Sequence, residues 1–150
     1  MYKEIVYKYL KEKNIKDKTD KDFKFQDDGQ GIYIKEWNIS EIIKPEIDII
    51  INKYSLEVLK ELKIKEIKDN IHNFIQNKYG DYIQLNTLNL IGNLKQKDKN
   101  DLINFINAVI NKEQEMFNEL NLLDNLNDVK NFNTQINILI DEEILWKKFY

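Results

Sequence analysis

The chain has 150 residues, 42% of them hydrophobic and 33% charged, with a formal net charge of −3. That is enough apolar content for a core and enough length for one domain or two small ones, so wholesale disorder is not expected. Cysteine is absent, which excludes disulfide staples, thiol catalysis and cysteine zinc sites.

All 23 basic residues are lysine, and they alternate with acids, as in Lys60-Glu61, Lys65-Glu66 and Lys68-Asp69. That pattern reads as solvated helix faces. Without arginine there is no planar fork for bidentate phosphate or guanine contacts, so nucleic acid is not an expected partner. No window approaches the ~20 apolar residues of a membrane span. The charged start Met1-Tyr-Lys-Glu-Ile5 does not read as a signal peptide. The expectation is a soluble protein kept in the cytoplasm.

In chain order, Tyr2, Ile5, Val6, Tyr9 and Leu10 recur at helical spacing and predict a first helix over 2–13. A polar loop follows to Asp22. Two alternating segments, about 22–26 and 31–37, then flank Asp28-Gly29. An Asp-Gly pair between alternating strands is a strong hairpin signal, because glycine takes positive φ without a steric penalty. Alternation places Ile32, Ile34 and Glu36 on one face of the second strand, and Tyr33, Lys35 and Trp37 on the other. Pro45, the single proline, suits the first position of a short helix over 46–52, with Glu46 and Asp48 at its positive end.

Ser55 suits the N-cap of a longer helix that ends at Tyr79-Gly80. Its stripe runs Leu56, Leu59, Leu62 or Lys63, Ile67, Ile71, Phe74 and Ile75. Core packing is the first expectation for it, and a homo-oligomer seam through the 55–79 helix the second. Residues 81–97 are irregular, with Leu85, Leu88, Leu90 and Ile91. A further helix runs from about Asp98 or Asn100 to Leu120, its apolar face read as Leu102, Ile103, Ile106, Val109, Ile110, Phe117 and Leu120. The segment 128–140 reads as helix, although Ile136–Ile140 also alternates like a strand. The terminal Trp146, Phe149 and Tyr150 are expected to dock on the body or on a partner. The expected fold class is α+β, mostly α: an N-terminal helix and β-hairpin in a module over 1–52, then a domain over 53–150 with a helical body of three to four helices.

Catalytic constellations do not emerge. The single histidine, His72, falls mid-helix, and neither Ser40 nor Ser55 lies in a Gly-x-Ser-x-Gly elbow. Gly29-x-Gly31 lacks the third glycine and flanking elements of a dinucleotide fingerprint. Asp20, Asp22, Asp27 and Asp28 fit no EF-hand register, and turn chemistry accounts for Asp27 and Asp28. No catalytic, cofactor or metal residues are assigned, and the chain is not expected to be an enzyme. Tyr33 and Trp37 are instead the rigid, partly polar ring types enriched at interface hot spots.

The run Gln26-Asp-Asp-Gly-Gln-Gly-Ile-Tyr-Ile-Lys-Glu-Trp-Asn38, with Pro45 and an acidic helix start beyond it, resembles the XkdW-like proteins of prophage tail gene clusters. The resemblance covers about residues 1–52. Ile32 stands where that pattern has a proline, and Pro45 stands where it has a pair. More loosely, the remainder is similar in layout to a helical domain of phage tail-fibre proteins. The resemblance implies a small baseplate or tail-fibre component, or a fibre assembly chaperone. Its implied partner is a tail-fibre or baseplate protein, met in the host cytoplasm during assembly or in the virion tail. Tyr33, Trp37 and Asn38, with Trp146, Phe149 and Tyr150, are the candidate partner-binding residues. A small regulatory or inhibitory binding protein, of antitoxin or anti-defence type, is the alternative.

Overall fold

The computed structural model describes residues 1–79 and 96–136. Among these the order is α1 (Tyr2–Glu12), β1 (Phe23–Asp27), β2 (Ile32–Trp37), α2 (Ile47–Tyr79), α3 (Gln96–Leu122) and α4 (Leu126–Asn131). The fold is thus α+β and mostly helical, with an N-terminal helix, a two-stranded antiparallel hairpin and then long helices. Of the irregular stretch read over 81–97, residues 81–95 lie outside the described residues and 96–97 belong to α3; the ring-bearing terminus at Trp146, Phe149 and Tyr150 also lies outside them. Two compact units divide the chain: Met1–Leu62 with Asp124–Lys130, and Lys63–Leu123 with Asn131–Tyr150.

In the first unit, α1 buries Ile5, Val6 and Leu10, the inward positions of its helical repeat. Lys13 caps it, and Asn14 follows with φ +58°. Asn14 N–H bonds the Lys11 carbonyl at 3.0 Å, and Ile15 N–H bonds that of Leu10 at 2.9 Å. This crossed pair is a Schellman end, in which asparagine tolerates the left-handed conformation at little cost. Ile15 then packs against the core containing Leu10, which stops the helix and turns the chain back.

The hairpin completes that core. Phe23 and Ile34 join Ile5, Val6, Leu10, Ile39 and α2's Ile50, Tyr54 and Val58 in one buried cluster. A two-stranded sheet is marginal alone. Here its inner face is stabilised by helices from both sides of it in sequence. Asn38 N–H extends the ladder by one bond to the Asp22 carbonyl, 2.7 Å.

Three expectations need correction around α2. No break separates a short helix from a longer one: α2 runs unbroken for 33 residues through 52–55. Pro45 precedes it by two residues rather than occupying its first position, and the Glu46 carbonyl accepts the Ile50 N–H at 3.4 Å. Ser55 is therefore no N-cap. It is 3% exposed in mid-helix, and its Oγ has no hydrogen-bond partner. Burial of Tyr54 and Val58 on either side overrides the local capping preference of serine.

In the second unit, α2 contributes Ile67 and Ile71, and α3 contributes Phe105, Val109, Met116 and Leu120. Phe74 stacks on Phe105 with ring centroids 6.0 Å apart. The inward face of α3 keeps Val109 and Leu120 of the expected one but is turned in part from it. Ile103 and Ile110 are about half exposed, whereas Phe105 and Met116, omitted from the expected stripe, are buried. Helix α2 is also not striped along one line. Val58 and Ile67 are nine residues apart, about two and a half turns at ~3.6 residues per turn, so no single stripe holds both.

Of the segment read as helix over 128–140, the described part is helical to Asn131. Helix α4 starts where the Asn125 Oδ1 accepts the Asp128 N–H at 2.9 Å, an N-cap three residues upstream of the expected start. Residues 132–136 are irregular, and 137–140 lie outside the described residues.

Candidate docking surface on the hairpin unit

The bend between the strands is built by its own carboxylates. Asp27 Oδ1 accepts the Gly29 N–H at 2.9 Å, and Asp28 Oδ1 accepts the Gln30 N–H at 3.4 Å. Gly29 (φ +89°) and Gly31 (φ +117°) take conformations that side-chain-bearing residues rarely adopt. Both aspartates thereby have structural work, as the turn reading expected.

Strand pairing decides which side chains face outward. Gln26 lies opposite Tyr33, and Phe25 opposite Ile34, but the next pairs are Lys24 with Glu36 and Phe23 with Trp37. One extra residue, Lys35, is accommodated in β2 as a bulge. A bulge shifts the alternation by one position, so every residue beyond it changes face. Trp37 therefore shares the inner face with Ile34, and the expected grouping of Tyr33, Lys35 and Trp37 on one face is overturned. The Trp37 ring lies 6.2 Å from that of Phe23, and its Nε1–H donates to the Ile42 carbonyl at 3.0 Å. The residue beside it, Glu36, turns outward and pairs with Lys24 at 2.7 Å.

What the unit leaves exposed is narrower than expected. Tyr33 is 37% exposed, and its ring belongs to none of the core contacts. Asn38 is exposed and uses its backbone N–H in the ladder. The loop after β2 folds back on the strand: Ile42 packs on the core, and Lys44 Nζ donates to the Ile34 carbonyl at 3.4 Å. In the same stretch Ile43 is 88% exposed and Ile49, in the first turn of α2, is 60% exposed. These two isoleucines were not singled out from the sequence. The available signal was the apolar surplus of Ile39-Ser-Glu-Ile-Ile-Lys-Pro-Glu-Ile-Asp-Ile-Ile-Ile51, which holds more isoleucines than one helix face and one loop can bury.

Ion pairs surround the unit. Asp20 is paired with Lys3 and accepts the Tyr7 hydroxyl at 2.6 Å. The Lys3 ammonium and then the Tyr7 hydroxyl hold the Asp20 carboxyl below its usual range, and the same bond pushes the Tyr7 phenol up to about 12. Glu12 receives Lys53 at 2.7 Å and the Tyr54 hydroxyl at 2.7 Å, which lowers its carboxyl likewise. Lys18 reaches Glu41 at 2.5 Å, and Lys8 reaches Glu57 and Glu61 at 2.5 and 2.8 Å. Of the acidic quartet near the hairpin, Asp22 accepts the Thr19 N–H at 2.7 Å, so none of the four is left without a bonding role.

His72 is exposed on α2, and Ser40 bonds Glu41 at 3.2 Å. Among the described residues no group of three or more histidine, aspartate or glutamate side chains is placed to hold a metal ion. Among them, too, no helix is long and apolar enough to cross a membrane. Ile67 and Ile71, two residues of the expected oligomer seam, are buried by the chain itself. Compared with known proteins, the chain matches no family model, no curated protein and no solved structure.

Proposed function

We propose that this chain is a tail-associated protein of a phage, prophage or tail-like particle, acting by protein–protein binding rather than catalysis. It serves as a small baseplate or tail-fibre component in the tail or tail-like particle, or as a fibre assembly chaperone in the host cytoplasm during assembly. The reading rests on the resemblance of about residues 1–52, carried by the Gln26–Asn38 run and Pro45, to XkdW-like proteins. The observation that carries the binding role is local: the stretch bearing that resemblance and the first turn of α2 leave Tyr33, Ile43 and Ile49 exposed beside a densely packed core. Isolated exposed apolar residues are ordinary. Three within seventeen residues, with Ile43 almost fully in water, favour a surface that a partner covers.

The anchors divide by position. Tyr33 and the two isoleucines would contact the partner, while Trp37 would hold the β2–α2 loop from inside through its bond to Ile42. The test is capture of the partner by the tagged full chain in cells carrying its native tail genes. Tyr33→Ala with Ile43→Asp and Ile49→Asp should lose the fibre or baseplate protein while keeping the far-ultraviolet circular dichroism and Tm. Retention by the triple variant would remove this surface from the interface. A tight complex with a host enzyme and none with tail proteins would replace the reading by the regulatory or inhibitory one.

A further inference from the structure

Asp28-Gly29 is the one place in the chain where an aspartate or asparagine is followed by glycine. We propose that Asp28 is a site of spontaneous backbone isomerisation, restrained in the native fold by the Asp27 carboxylate. The chemistry needs only the chain and water. The Gly29 amide nitrogen attacks the carboxyl carbon of Asp28 in its protonated form, forming a C–N bond and losing the amide proton and the carboxyl hydroxyl together as water. The five-membered succinimide then takes up water at either carbonyl. Opening at one restores aspartate, and opening at the other leaves isoaspartate, whose side-chain carbon has entered the main chain. Mass and redox state are unchanged.

Three observations single out this bond. Glycine places no Cβ beside the attacking nitrogen, and at Gly29 nothing lies within 4 Å of where one would stand. Residues 28–31 lie between the strands, and both Asp28 and Gly29 are exposed, so neither ladder nor packing opposes rearrangement. By contrast, Asp48, Asp69, Asp101 and Asp128 sit in helices, where the regular backbone constrains the next peptide. The hydrogen bond that holds the Gly29 peptide is its N–H to Asp27 Oδ1, 2.9 Å, and on the attacked side the Asp28 carboxyl is held by a weaker 3.4 Å bond from Gln30. Attack requires the Gly29 peptide to turn relative to the Asp28 carboxyl, so the Asp27 bond must open first. The product adds one methylene to a four-residue bend, which the β1–β2 register of Asp27 opposite Ile32 does not accommodate unchanged.

The test ages the full-length folded protein at neutral pH and body temperature and digests it with trypsin. The peptide Phe25–Lys35 should split into two species of equal mass. Electron-transfer fragmentation and an isoaspartyl methyltransferase should both place the new linkage at residue 28. Asp27→Ala should speed the split several-fold, and Asp27→Asn, which keeps an acceptor oxygen, should stay near the wild-type rate. Asp28→Glu should abolish it while leaving the fold, checked by circular dichroism, intact. A single unsplit peptide after ageing, or isoaspartate spread evenly over other aspartates, would overturn the site. An unchanged rate in Asp27→Ala, with the far-ultraviolet spectrum retained, would overturn the restraint.

Discussion

The two units reach a buried core by different routes. In the first, an eleven-residue helix, a five- and a six-residue strand and the first half of α2 each contribute a few side chains to one cluster. Its elements are short, and local devices define their ends: the Schellman turn at Asn14, the Asx turns at Asp27 and Asp28, and the bulge at Lys35. In the second, long helices meet along stripes, and an irregular segment, 132–136, is pinned to α2 by side chains. There Asn70 Nδ2 donates to the Thr134 carbonyl at 2.8 Å, and the Thr134 hydroxyl donates to Glu66 at 2.5 Å. A unit with local stop signals is readable residue by residue. A unit of helices is defined mainly by which faces meet, and a helix rich in isoleucine offers several.

Truncating a central side chain in each unit should sharpen this contrast most. Phe23→Ala, at the junction of α1, the hairpin and Trp37, should cost about 3–5 kcal/mol, and Leu120→Ala about 2–5 kcal/mol. Guanidinium unfolding followed by circular dichroism would measure both. A loss below about 1 kcal/mol for Phe23→Ala would show that the hairpin is not part of the cooperative core.

A smaller effect is expected where a polar node replaces packing. Thr134→Val keeps the shape but removes both the hydroxyl donated to Glu66 and an acceptor for Asn70, and should cost about 1–3 kcal/mol. The same midpoint as wild type would mean that the hydroxyl adds nothing to the hold of Ile136 and of the Asn70 bond to the residue 134 carbonyl.

Ser55→Ala tests the reading of α2 by its sign. An N-cap serine replaced by alanine costs about 1 kcal/mol. A buried mid-helix serine with an unpartnered hydroxyl should instead lose nothing, or gain up to about 0.5 kcal/mol from helix propensity. Destabilisation by a full kilocalorie would restore the break between two helices.

The pH dependence should divide by side of neutrality. Tyr7 has its phenol raised from 10.0 to about 12, so the neutral form is favoured in the folded state. Its contribution is whole below pH 10.0 and is lost as pH rises from there to about 12. The carboxyls of Asp20 and Glu12 are lowered, so theirs is present above the ordinary carboxylate range and lost as pH falls through the folded values. Tyr7→Phe should remove the alkaline loss, read from urea midpoints, and leave the acid one. An alkaline profile unchanged in Tyr7→Phe would dissociate the phenol from stability.

Much of the hairpin unit was legible in the sequence. Helix α1, both strands to within a residue and the Asp28-Gly29 bend follow from period, alternation and turn chemistry, each a short-range preference. The fate of Trp37 was not. Alternation carried it outward with Tyr33, and only the bulge at Lys35 turned it in, since nothing local distinguishes Lys35 from a regular strand position. The candidate surface was legible in part for the same reason. Tyr33 is where alternation puts it, whereas Ile43 and Ile49 are exposed because the core had no place for every isoleucine in the stretch.

The order of elements, the helical majority and the position of the bend belong to the sequence alone, because propensity, capping and glycine's positive φ act within a few residues. Which face of α3 turns inward, whether α2 breaks at Ser55, and which ring of the hairpin is buried were settled only by tertiary packing. Those choices lie between local arrangements of nearly equal energy, and burial of apolar surface against distant parts of the chain is large enough to decide them.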